Sequence, residues 1–190
     1  MNDIWLVRHG ETEWTLSKRH TSRTDVPLTE RGEQQARGLA ALLAGREFAL
    51  VLTSPRLRAR RTAELAGFAD AQVDDDLVEL DYGDYEGRTT TEIRAERPGW
   101  YLWTDGSPGG ERPVDAGRRA DRVVARIRAV AGPVLIVGHG HMSRILAVRL
   151  LELPLEDGRL LVMDPATISI VGSEHDRPAI TLWNWSPTLD

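Results

Sequence analysis

Apolar and polar positions along the chain switch repeatedly between two periods. Ile4–Val7 is a short continuous apolar run, which predicts a buried strand. Thr29 is placed to cap a helix whose Ala36, Leu39, Ala40 and Leu43 fall on one face, with Gly45 closing it. FALVLTS, Phe48 to Ser54, predicts a second buried strand. A helix follows at once, with Ser54 as its expected N-cap and Pro55 as its first residue. Thr89–Glu96 suits a short polar helix, whereas PGWYLWTDGSPGGERP fits neither period and reads as a loop. Ala116, Ala120, Val123, Val124, Ile127 and Val130 stripe a long helix stopped by Gly132 and Pro133. VLIVGHGH, starting at Val134, is a third buried strand, with a helix from Met142 to Leu151 behind it. TISIVGS and AITLWNW close the chain as strands near a sheet edge.

Strands alternating with helices predict an α/β fold: three layers, α/β/α, around a mainly parallel central sheet. The chain shows no repeat, linker or low-complexity segment, so one domain is expected over residues 1–190. In such a sheet, sites form outside the carboxyl ends of the strands. Arg8-His9-Gly10 ends the first strand, Ser54-Pro55 the second and Gly138-His139-Gly140 the third. Guanidinium and imidazole groups do not belong in a core without partners, so this edge reads as the floor of an anion site. The glycine after each histidine would let the backbone approach a ligand, and the helix after His139 would point free N–H groups at it. Arg58, one turn into its helix, faces the same crevice, with Arg61 and Thr62 on that face. Arg8 and Arg58 present planar forks of donors, and with His9 and His139 they make a cradle for a tetrahedral dianion.

Composition narrows this picture. At 190 residues, with 41% hydrophobic and 28% charged positions, the chain suits an ordinary globular domain. A net charge of -5 argues against a nucleic-acid partner while leaving room for a local basic pocket. The absence of cysteine excludes disulfides, thiolate nucleophiles and Cys-ligated metals. No apolar run approaches the ~20 residues of a membrane span. A first strand at Ile4 leaves no room for a signal peptide, so a cytoplasmic location is expected. His139 and His141 have metal-site spacing, with Asp81, Asp84 and Glu86 as conceivable further ligands. Arginines would repel a cation there, so neither metal nor cofactor is expected. The acidic residues read instead as a solvated turn around Gly83 and Gly87, and His20 as a surface residue. Trp100 and Trp103 suit either the pocket mouth or packing under the loop. The expected partner is a small phosphorylated metabolite, and a homo-oligomer stays open.

Four motifs then resemble one family in order. LVRHGET, from Leu6, resembles the signature of the histidine phosphatase (phosphoglycerate mutase-like) superfamily. TSPRLRARRTAEL resembles its second motif, whose arginine maps to Arg58. LVELDYGDYEG is similar to its acidic motif and VLIVGHGHMSRIL to the segment with its second histidine, here His139. HTSRTDVPLTERG follows the family's loop after the nucleophile in register. The resemblance implies a phosphoglycerate mutase-like fold and a metal-independent reaction through a phosphohistidine on His9. Arg8, Arg58 and His139 would hold the phosphoryl oxygens, and Glu79 would donate a proton to the leaving group and later accept one from water.

Two departures favour hydrolysis over the alternative of a cofactor-dependent phosphoglycerate mutase. Thr15 stands where the mutases have asparagine, and the stretch from Glu79 to His139 is shorter than their lid-bearing insertion. Ser22 also replaces the usual loop glycine, which weakens the case for a phosphate contact through that backbone. HGHMSR and GSEH resemble the sedoheptulose-bisphosphatase-like group and small acid phosphatases. The expected activity is therefore a phosphomonoesterase acting on a sugar phosphate or similar small phosphoester. A silent binding module fits least, because no catalytic position is missing. Thr15, Thr21, Tyr82, His141, Arg144 and His175 are the expected further substrate contacts. Of these, Arg144 and His175 would hold a second anionic or polar group, since the strand before His175 is expected to end at the same edge.

Overall fold

Ile4–Val7 is apolar on successive residues because the strand it forms is covered on both sides. The computed structural model describes residues 2–186. Its six strands are β1 (Ile4–Arg8), β2 (Leu50–Thr53), β3 (Gln72–Val73), β4 (Val134–Gly138), β5 (Ile168–Glu174) and β6 (Arg177–Trp185). They form one sheet in the order β3-β2-β4-β1-β5-β6. The first four are parallel, β5 runs antiparallel to β1, and β6 antiparallel to β5. The expected mainly parallel α/β sheet is thus present, and the last two strands lie at its edge. The two-residue β3 was not foreseen, since so short and exposed a strand leaves no periodic signal.

Alternate residues of the central strands feed two cores. Ile4, Leu6, Leu52 and Ile136 pack with α6 (Pro113–Arg128) and α7 (Gly140–Leu150) through Ala120, Val124, Ile127, Ile145 and Leu146. Trp5, Val7, Leu135 and Val137 face the other way, against Leu39 and Leu43 of α2 (Glu30–Leu43) and Ala63 of α3 (Leu57–Leu65). Thr29 caps α2 as expected, accepting from the Gly32 N–H at 3.0 Å. Thr89 caps a helix at Thr90–Glu96 through a reciprocal pair with Glu92.

Three expectations are corrected. The helix after β2 starts at Leu57, and Arg56 occupies its N-cap position without a side-chain cap. Ser54 lies two residues before that position; its hydroxyl meets His139 Nε2 at 2.7 Å and accepts from the Arg56 N–H at 3.4 Å. The residue 98–113 segment is not all loop: Leu102–Asp105 form a short helix, with Trp103 buried against the adjoining core. The helix after β4 begins at Gly140, two residues before Met142, because His139 already has the extended backbone of an N-cap.

The turn after β1 is held by a close backbone crossing. A Cβ on Gly10 would lie 2.4 Å from the Gly32 carbonyl oxygen, and one on Gly32 would lie 2.1 Å from that of Glu11. Gly10 is therefore required for packing on α2 rather than for approach to a ligand. Alanine normally gains ~1 kcal/mol over glycine inside a helix. Overpacking against rigid backbone costs about 1–3 kcal/mol, so the clash wins. Gly32→Ala should lower the melting temperature and, by pushing on the Gly10 turn, reduce turnover. An unchanged melting temperature would show that this crossing does not set the turn.

Candidate active site

Parallel pairing aligns Arg8 with Gly138, so His9 and His139 leave the sheet side by side. Their ring centroids are 5.3 Å apart. His9 Nδ1 is 2.7 Å from the Gly10 carbonyl oxygen. A carbonyl can only accept, so Nδ1 carries the proton and Nε2 keeps its lone pair. Arg58 Nε donates to that Nε2 at 3.3 Å. His139 Nε2 meets the Ser54 hydroxyl, whereas its Nδ1 is buried without a hydrogen-bond partner among the described residues. Arg8 donates through Nη1 to the Met163 carbonyl, and its Nε is likewise buried without a partner. A Cβ on Gly140 would sit 3.3 Å from Arg8 Cζ, so this second glycine makes room for the guanidinium.

Arg58 has no exposed surface. Its Nη1 donates to the Thr24 carbonyl at 3.1 Å and its Nη2 to the Thr21 carbonyl at 3.2 Å. Thr21 thus contributes main chain here, while its hydroxyl donates to the Arg19 carbonyl. Glu86 accepts from the amides of Ser22 and Thr24, so this acidic residue organises the loop rather than lying in a solvated turn. The Ser22 amide is thereby committed to a carboxylate. Thr62 faces the site as expected and accepts from the Gly10 N–H at 3.1 Å. Arg61 does not, because Glu33 and Glu64 hold it in ion pairs on the outer side of α3.

The opposite wall carries Glu79, which is buried. Its Oε1 accepts from Met142 N–H at 2.8 Å and its Oε2 from His141 N–H at 3.0 Å. The first turn of α7 therefore does not offer these two amides to a ligand, contrary to expectation. His141 Nδ1 lies 2.7 Å from the Tyr82 hydroxyl. His20 stacks on Tyr82 at 4.6 Å and is half-buried, not a surface residue. Trp100 packs under the loop, donating to the Gly106 carbonyl. Trp103 lies against His141, with the Arg144 guanidinium 4.7 Å above its ring. Arg144 Nε donates to the Gly158 carbonyl at 2.8 Å.

Two expected contacts are taken elsewhere. The Thr15 hydroxyl closes a capping box with Thr12 at the start of the helix Glu13–Leu16. His175 lies at the wrong edge: β5 is antiparallel to β1, so its carboxyl end sits beyond Ile4, at the amino ends of the parallel strands. There His175 and Asp176, with φ of 46° and 62°, make the exposed two-residue turn into β6. His139 and His141 turn to different partners, and no cluster of three metal-ligating side chains forms among the described residues. Sequence reasoning missed Ser54 as the partner of His139. It also missed Arg119, whose Nη1 donates to the Val78 carbonyl at 3.0 Å while Glu111 grips the same guanidinium. The first signal was present but assigned to a helix cap, and the second is a non-local contact with no periodic trace.

The family model for the histidine phosphatase superfamily (branch 1) matches residues 4–186. The chain belongs to that superfamily and is an enzyme of phosphatase type. It is 44% identical over 176 residues to an acid phosphatase of Mycobacterium tuberculosis, covering 90% of this chain and 87% of that one. It is 38% identical to a sedoheptulose 1,7-bisphosphatase of Saccharomyces cerevisiae, covering 75% of this chain and 65% of that one. It is also 33% identical to a probable phosphoglycerate mutase of Photorhabdus laumondii, covering 92% and 86% respectively. A solved structure of a Mycobacterium tuberculosis open reading frame superposes with a TM-score of 0.93 at 40% identity, covering 97% of this chain and 98% of that one. Among the described residues, no helix is long and apolar enough to cross a membrane.

Burial and neighbouring cations keep the site's imidazoles neutral. Desolvation first, then the charges of Arg58 and Arg8, hold His9 well below the usual histidine range. Desolvation also leads for His139 and His141, and it brings His20 down to about 4. In the unfolded chain these groups protonate near pH ~6.5. Below that pH the unfolded state binds more protons, so stability falls as pH falls, by up to ~1.4 kcal/mol per unit for each histidine. Urea midpoints of the ligand-free enzyme should therefore drop between pH 6.5 and 4.5, above the range where carboxylates dominate. A flat profile over that window would contradict neutral burial of these rings.

Proposed function

We propose that the enzyme is a phosphomonoesterase that moves the phosphoryl group of a small phosphoester, a sugar phosphate in the first place, to His9 and then to water. The carrying observation is the state of His9: its proton is fixed on Nδ1 by Gly10, and its Nε2 lone pair lies among Arg8, Arg58 and His139. In the first step Nε2 forms the N–P bond as the ester P–O bond breaks, and the Glu79 carboxyl gives its proton to the leaving oxygen. In the second, a water oxygen attacks phosphorus, the N–P bond breaks, and Glu79 takes the water's proton. The unpartnered Nε of Arg8 and Nδ1 of His139 are donors suited to the equatorial oxygens, where transition-state charge is spread.

Fixed guanidinium groups supply the positive charge that a metal ion otherwise provides in phosphoryl transfer, which favours a metal-independent reaction. The acid phosphatase relative and Thr15 at the mutases' asparagine position support water as the acceptor. The bisphosphatase relative supports a sugar phosphate as the substrate. Tyr82 is buried and its hydroxyl meets His141, so of the expected sugar contacts near Glu79 it is His141 and Arg144 that keep some exposed surface.

Rapid quenching of the enzyme with substrate, in the presence of chelator, should trap an acid-labile phosphate on His9, and His9→Ala should abolish turnover. Phosphate on another residue, or a rate restored only by a divalent ion, would overturn the scheme. Glu79→Gln should slow an alkyl phosphate by roughly 10²–10⁴-fold. An aryl phosphate, whose leaving group needs little protonation, should suffer far less. Equal losses on both would assign Glu79 to binding instead.

A further inference from the structure

We infer that Arg56 forms a second anion subsite, which holds a distal phosphate or carboxylate on the leaving-group part of the substrate. The inference rests on the phosphatase reading above and adds the charge of the substrate's far end. A cleft of about 440 Å³ opens beside Glu79, with Ser22, Arg23, Arg56, Asp81 and Arg119 among its walls. That volume lies within the ~300–1,000 Å³ of small-molecule sites. His9, Arg58 and His139 are not part of its lining. In-line displacement places the leaving oxygen opposite His9 Nε2 and next to its proton donor. Because Glu79 and Arg56 both line this cleft, the rest of the substrate can extend past Glu79 toward Arg56.

The charges in the cleft are nearly all paired. Arg23 bonds Asp81, and Arg119 bonds Glu111 at 2.7 Å. Asp115 takes Arg112 at 3.0 Å and Arg118 at 2.7 Å. Glu79 is held by backbone amides. Arg56 alone among the lining cations has no carboxylate partner among the described residues, and its Nε is buried without a hydrogen bond. Its backbone is fixed: the N–H donates to the Ser54 hydroxyl, and the carbonyl accepts from Ala59 and Arg60 at the start of α3. Burial leads in depressing the pKa of His139, and the Arg56 charge lies close enough to lower it further, as it does that of Arg58. A guanidinium held near other cations without a counter-charge is the arrangement an incoming anion stabilises.

The test compares Arg56→Gln and Arg144→Ala on p-nitrophenyl phosphate, fructose 6-phosphate and fructose 1,6-bisphosphate. Wild type should favour the bisphosphate in kcat/KM. Arg56→Gln should lower that value about ten- to hundredfold, the loss of one charge-assisted contact. The same variant should leave both monophosphates within about threefold of wild type, and Arg56→Lys should restore part of the loss. Equal losses on all three substrates would place Arg56 in the cradle and overturn the inference. So would no loss, no bisphosphate preference in wild type, or a bisphosphate-selective loss in Arg144→Ala alone. Failure of wild type to release phosphate from any of the three would overturn the phosphatase reading itself, and this subsite with it.

Discussion

A guanidinium with no exposed surface has to place its N–H groups on protein acceptors, and Arg58 does so across the centre of the site. Two of its nitrogens hold the carbonyls of Thr21 and Thr24, and the third meets Nε2 of His9. The loop of Thr21 and Thr24 is therefore ordered by the same cation that meets His9. Carbonyl dipoles offset part of its charge, as does Asp25 at 4.0 Å, and the remainder is free to act on an anion. The desolvation that makes this arrangement demanding also keeps His9 unprotonated, so the neutral imidazole and its cationic surroundings share one physical origin.

The opposite wall is built on a different principle. Glu79 is positioned by main chain, through the amides at the start of α7, and its own segment is clasped from behind by Arg119 and Glu111. Backbone amides leave little rotational freedom, so the carboxyl group is presented in a defined orientation. The aromatic stack of His20, Tyr82 and Trp100 supports the same wall, and Tyr82 ties it to His141. One side of the site is thus cationic and fixed by buried arginine, and the other carries Glu79 and is fixed by helix and aromatic packing.

Much of this was legible before folding. Continuous apolar runs read as doubly covered strands, and the residues at their ends, with Arg58 one turn into the helix that follows, marked Arg8, His9, Arg58 and His139 as one cluster, which the structure brings together. The misreadings have specific physical causes. Ser54 before a proline has the appearance of a helix cap, but the helix starts only at Leu57, and the Ser54 hydroxyl meets the buried ring of His139, 85 residues away. Arg61 shares a helix face with Arg58, yet Glu33 on the neighbouring helix draws it outward. Glu86 looked solvated because the two amides it binds lie 62 to 64 residues away in sequence.

The sequence by itself determined the parallel order of the strands that end at the site and hence the edge where the histidines meet. Strand–helix–strand units with right-handed crossovers leave the carboxyl ends of parallel strands on one side. Only the tertiary structure decided the direction of β5, which sends His175 to the far edge, and the ion pairs that, among the described residues, leave Arg56 without a carboxylate partner in its cleft. Apolar alternation is the same whichever way a strand runs, and charge pairing depends on which elements become neighbours. Neither is encoded in local pattern.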